Sequence, residues 1–160
     1  MNNALMFSKA SDEWATPQVF FDALHAEFEF GLDVAASVEN RKTAVYFGPD
    51  HDDESCQDAL VQPWTIAADG HTCWMNPPYS QCRAFIEKAA REASQGATVV
   101  ALVPSRTDTK WWHSAVYDAA LRAFRPGVEV RFVKGRLKFG EGKNSAPFPS
   151  VVIVFRPPPI

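Results

Sequence analysis

Seven residues, Ala97 to Val103, run without a charge and with a single hydroxyl, Thr98. A strand with one face in water alternates polar and apolar residues, and this one does not. It reads as a strand covered on both faces, the kind found inside a parallel sheet flanked by helices. The preceding segment supplies one covering helix: Phe85, Ile86, Ala89, Ala90 and Ala93 recur at helical spacing after Ser80, read as its cap, and Gly96 ends it. Upstream, Val19, Phe20, Leu24 and Phe28 recur in the same way. Thr16 is read as the N-cap and Pro17 as the first residue of a helix reaching about Glu27.

The same pattern continues along the chain. Glu29 to Ala36 and Thr72 to Met75 read as short buried strands, Lys110 to Ala123 as a third helix, and Val128 to Val133 and Ser150 to Phe155 as the last two strands. Strands alternating with helices predict an α/β fold with one doubly wound sheet, mostly parallel, whose last two strands form an antiparallel edge. At 160 residues, 46% hydrophobic and 22% charged, the chain has the length and composition of a single cored domain spanning residues 1–160. Residues 37–70 form a long polar loop with an acidic cluster at Asp50, Asp52, Asp53 and Glu54 and one turn of helix near Asp58 to Val61. Loops of that length are usually functional, and this one is expected to assist target recognition.

No run approaches the roughly 18 apolar residues of a membrane span, and the first ten residues lack an export signal, so a cytoplasmic location and no membrane partner are expected. Cys56, Cys73 and Cys82 show no CxxC pair, and His25, His51, His71 and His113 show no paired spacing. Free thiols and no metal site are therefore expected. Charge is unevenly distributed. Residues 1–95 hold 15 Asp and Glu against 6 Lys and Arg, and residues 96–160 hold 4 against 10. An acidic chain can bind a polyanion when its basic groups converge, because the field is local over a Debye length of about 8 Å.

In doubly wound sheets, ligands sit at the carboxyl ends of the strands. Asp33 and Asn76-Pro77-Pro78-Tyr79 fall at two such ends. Two consecutive prolines remove two backbone donors and stiffen the turn, leaving a loop rich in acceptors. The Asn76 side-chain carbonyl and the Pro77 main-chain carbonyl are placed to accept both hydrogens of one planar amino group, and Tyr79 offers a ring for stacking. An exocyclic amine is a poor nucleophile because its lone pair is delocalised into the ring. Aligned acceptors that strengthen as charge develops on nitrogen help it attack an activated methyl group. A paired base must first be flipped out of the duplex, at a cost of a few kcal/mol offset by stacking and phosphate contacts.

With those residues in hand, the chain resembles the small phage-type DNA adenine methyltransferases of the Dam-like family. The resemblance rests on Asp12-Glu-Trp-Ala-Thr-Pro17, Leu32-Asp-Val-Ala-Ala36, Asp58-Ala-Leu60 with Trp64, Asn76-Pro-Pro-Tyr79, Leu102-Val-Pro-Ser-Arg-Thr107 and Gly135-Arg-Leu-Lys-Phe139. It implies a Rossmann-like methyltransferase sheet, S-adenosylmethionine as cofactor, DNA as partner and methylation of the adenine N6 amine. Asn76, Pro77, Pro78 and Tyr79 are then the catalytic loop. Trp14, Thr16 and Pro17 are implied at the methionine end of the cofactor, and Asp33 opposite its amino group. Ala35 stands where the family pattern has Gly-x-Gly, so small residues must provide the close approach. Asp58 is either a contact near the adenosine or a helix cap.

For nucleic acid, Arg106, Lys110, Arg136 and Lys138, with Lys134 and Lys143 nearby, are expected to form one basic rim, Arg reading bases and Lys holding phosphate. Other readings stay open at this stage. The same loop suits adenine in RNA or a glutamine side-chain amide in protein. Loss of the glycines also fits a DNA-binding decoy without turnover.

Overall fold

A computed structural model describes residues 15–140 and 145–159. Among the described residues, eight strands and three α-helices follow in chain order: α1 (Gln18–Phe28), β1 (Phe30–Asp33), β2 (Val45–Tyr46), α2 (Trp64–Ala68), β3 (Thr72–Met75), α3 (Cys82–Ser94), β4 (Val99–Pro104), β5 (Tyr117–Asp118), β6 (Ala123–Phe124), β7 (Val128–Phe132) and β8 (Ser150–Phe155). Six strands make one sheet in the order β2-β1-β3-β4-β8-β7. β1 pairs in parallel with β2 and β3, and β3 with β4, whereas β8 runs antiparallel to both β4 and β7. This is the mostly parallel, Rossmann-like sheet with an antiparallel edge that the apolar runs predict.

The two faces of β4 show why its sequence does not alternate. Val99, Ala101 and Val103 enter one apolar core with α3, Trp64 and Trp112, while Val100 and Leu102 enter a second with Phe21, Phe30 and Trp74. β8 divides in the same way, Val151, Ile153 and Phe155 to the first core and Val152 and Val154 to the second. Burying a side chain of this size contributes about 1.5–3 kcal/mol. A charge anywhere along either strand would enter one core or the other. One buried charge is tolerated in the first core because it is paired: Glu92 accepts the Trp64 backbone N–H at 3.1 Å and binds Lys88 at 2.7 Å. That pair docks α2 against α3.

Several expectations need correction. The helix expected from Lys110 to Ala123 is a single π-helical turn, Trp112–Val116, followed by the β5–β6 hairpin. The Asp118 carboxylate accepts the backbone N–H groups of Ala120 (3.0 Å) and Leu121 (3.1 Å), which turns the chain where a helix would continue. Arg122 then takes a left-handed φ of 53°. Thr16 does not cap α1. Pro17 holds the cap position, and no side chain bonds to the helix end. Ser80 does not cap α3 either, since a 3₁₀ turn at Tyr79–Gln81 leads into it and Gln81 precedes the first α-helical residue. The 37–70 loop contains β2 and α2, and its predicted turn is a 3₁₀ turn at Ala59–Val61 capped by Asp58.

Candidate active site

The register Asp33↔Tyr46 and Asp33↔Trp74 brings the carboxyl ends of β1, β2 and β3 level. Val34 N–H donates to the Trp74 carbonyl at 3.0 Å, so the β1 and β3 exits remain tied just before Asn76. Above them lies a cavity of about 570 Å³, within the usual size range of small-molecule sites. Its wall joins separate pieces of sequence, among them Ala15 and Thr16, Asp33 to Ala36, Phe47 to Pro49, Gln57 to Leu60, and Asn76 with Pro78. Of the residues singled out from sequence, Thr16, Asp33, Ala35, Asp58, Asn76 and Pro78 meet on this one wall.

Asp33 is 3% exposed. Its two carboxylate oxygens accept the backbone N–H groups of Ala35 (3.3 Å) and Lys42 (3.0 Å). Burial pushes its pKa up to about 6, against the opposing pull of those two donors and the Lys42 charge. Burial also lowers the pKa of Lys42, with Asp33 and Asp22 pulling the other way. Ala36 N–H donates to the Phe47 carbonyl and Phe47 N–H to the Asp33 carbonyl, both at 2.9 Å. A Cβ on Gly48 would lie 1.8 Å from the Ala36 oxygen. The β1 and β2 exits are therefore in close backbone contact, and Gly48 permits it.

Asn76 is half-buried, and its Nδ2 donates to the Thr16 hydroxyl oxygen at 2.9 Å. Thr16 is thus buried for a reason other than capping: it holds the amide of Asn76. Pro77 is buried and lies outside the cavity wall. Tyr79 leaves the cavity for the neighbouring surface, where the Phe148 ring meets it edge-on at 4.8 Å and the Arg106 guanidinium lies 5.9 Å over its ring and donates to its hydroxyl at 3.4 Å. Arg136 donates to the Ala146 carbonyl, two residues from Phe148, at 3.4 Å. Arg106 lies directly against the Tyr79 ring of the Tyr79–Phe148 pair.

Arg125, Arg131 and Arg156 are drawn into ion pairs with Asp118, Glu27 and Glu129. Arg106, Lys110, Lys134, Arg136 and Lys138 are exposed and form no ion pair among the described residues. Asp58 caps its turn through a 3.0 Å bond from the Leu60 N–H and also stands on the cavity wall. Pro17 is half-buried at the start of α1, off the wall. Trp14 and Lys143 lie outside the described residues. Trp111 and Trp112 are both core. Among the described residues no group of His, Cys, Asp and Glu is placed to hold a metal, and no helix is long and apolar enough to cross a membrane. Sequence reasoning missed Lys42, Gly48 and Gln57. Lys42 is the cationic side chain of the wall among the described residues, and a lysine inside a polar loop gives no local signal of that position.

The chain is similar to known proteins along most of its length. Over 155 residues the chain is 29% identical to the DNA N-6-adenine-methyltransferase of Haemophilus phage HP1, covering 94% of this chain and 83% of that protein. It is 28% identical over 110 residues to the protein of the same name from Escherichia phage T1, covering 68% of this chain and 42% of that one. The chain thus matches less than half the length of the T1 protein. The family model described as DNA N-6-adenine-methyltransferase (Dam) matches residues 4–159, nearly the whole sequence, and the chain belongs to that family.

Proposed function

We propose that the protein methylates the exocyclic N6 amine of adenine in DNA, using S-adenosylmethionine and a flipped target base. One observation carries the reading: Asn76, at the proline corner, and Asp33, a buried carboxylate at the adjacent strand end, line the same cavity. The wall chemistry fits the cofactor. Asp33 and Lys42 offer opposite charges, Asp58 offers an acceptor, and Val34, Phe47, Leu60 and Phe85 offer apolar surface for a nucleoside. Bound S-adenosylmethionine supplies a methyl group activated by a sulfonium. Asn76 accepts one hydrogen of the target amine through its side-chain oxygen, with the Pro77 main-chain carbonyl as second acceptor, and both bonds strengthen as nitrogen gains charge. Thr16 supports this by holding the other end of the Asn76 amide. Pro78 stiffens the corner, Tyr79 stacks the flipped base, and Arg106, Lys110, Arg136 and Lys138 hold the DNA backbone.

The test is transfer of labelled methyl from S-adenosylmethionine to DNA, RNA and glutamine-bearing peptides offered in parallel. Label recovered as N6-methyladenine in DNA, and lost in Asn76→Ala, is the expected result. Label in RNA or peptide alone would reassign the acceptor. A wild-type protein that binds DNA but transfers nothing would leave the decoy reading.

A further inference from the structure

Lys42 stands at an unusual place in the cavity. Its backbone N–H is fixed to one oxygen of Asp33 at 3.0 Å, so the two residues are neighbours. Yet the ammonium is not spent on that carboxylate. Nζ donates to a neutral partner, Gln18 Oε1, at 2.9 Å and lies 5.9 Å from the Phe21 ring centroid. Gln18 is in the first turn of α1, two residues after Thr16, which is itself on the wall. An ammonium has three donors. One goes to Gln18, and the group forms no ion pair among the described residues. Lys42 and Asp33 thus both line one chamber, and no ion pair joins them; Gln18 and Phe21, which hold the ammonium, are off the wall.

Opposite charges held apart in this way match a ligand that carries both signs on one carbon, the α-amino acid group. We infer that Lys42 is the residue that recognises the carboxylate at the methionine end of the cofactor, alongside Asp33 on the ammonium. This rests on the S-adenosylmethionine reading of the cavity. Gln18, exposed and off the wall, is the partner that the ammonium leaves when it turns to the ligand's carboxylate. The alternative is that Lys42 serves only to offset the charge of Asp33.

Decarboxylated S-adenosylmethionine separates the two, because it keeps the ammonium, sulfonium and adenosine and lacks only the carboxylate. Calorimetric titration of both ligands into wild type, Lys42→Gln and Lys42→Arg gives a cycle that needs no turnover. Wild type should prefer the carboxylate-bearing ligand by about tenfold or more, the order expected of one charge-assisted hydrogen bond. Lys42→Gln should bring that preference to within about twofold, and Lys42→Arg should keep most of it. Melting curves for each variant confirm folding. Equal weakening of both ligands in Lys42→Gln, or no preference in wild type, overturns the inference while leaving the cofactor assignment standing. If wild type binds neither ligand, the cofactor assignment fails and takes the inference with it.

Discussion

The two sides of the Asn76-Pro-Pro-Tyr79 corner are built on different principles. On the Asn76 side, groups are partly or fully buried and bonded to one another: Thr16 to Asn76, and Asp33 to the backbone of Ala35 and Lys42. On the Tyr79 side, the exposed Arg106 lies against one aromatic pair and lacks an ion-pair partner among the described residues. The first side is organised before any ligand arrives. The second is a surface whose cations, under the proposed function, would meet the DNA backbone. Binding on the cofactor side should therefore depend on local protonation and geometry, and binding on the DNA side on ionic strength.

Four outcomes would sharpen or break that contrast. The largest is Asn76→Ala: turnover should fall by about 10³ or more, as when a preorganised polar group facing developing charge is removed, while affinity for S-adenosylmethionine stays within a few-fold in calorimetry. Next is Asp33. With its pKa near 6, cofactor affinity should hold above pH 7 and fall about tenfold by pH 5 as the carboxylate protonates, and Asp33→Asn should lack that pH dependence. The sign for folding is opposite. Because the native pKa lies above the unfolded one, the native state holds the proton between roughly pH 4 and pH 6, and the contribution of this residue to stability declines as pH rises across that window.

Smaller effects follow. Thr16→Val should lower kcat about tenfold with little change in DNA affinity, consistent with loss of one hydrogen bond that orients Asn76, and Thr16→Ser should restore it. Smallest are the rim substitutions. Arg106→Ala or Lys138→Ala should each weaken DNA binding a few-fold at about 0.15 M salt and reduce the slope of log affinity against log salt by about 0.9. A rim substitution that instead altered S-adenosylmethionine affinity would erase the distinction between the two sides.

Legibility in the sequence divides by the range of the interaction. β8 and β3 were readable to their end residues, and β4 nearly so, because hydrophobic runs bounded by Gly or Pro are local signals. Asp33 and Asn76 were legible as strand exits for the same reason, and the resemblance added Thr16 and Asp58. What escaped depends on contacts between distant residues. Gly48 matters only because the Ala36 carbonyl lies against it, and Lys42 only because its loop folds back on Asp33. Thr16 looked like a helix cap because capping is the commonest local use of threonine before a helix, and its partner lies 60 residues away. The false helix at Lys110 to Ala123 shows the reverse error, since the Asp118 turn overrides a reasonable helical pattern.

The most direct check is titration of S-adenosylmethionine, without DNA, into wild type and Asn76→Ala at low and high salt. One site per chain, with affinity nearly the same in both proteins and at both salt concentrations, is the predicted result. Binding that appears only when DNA is present, or that disappears with Asn76, would contradict a preformed cofactor side bounded by a separate catalytic corner.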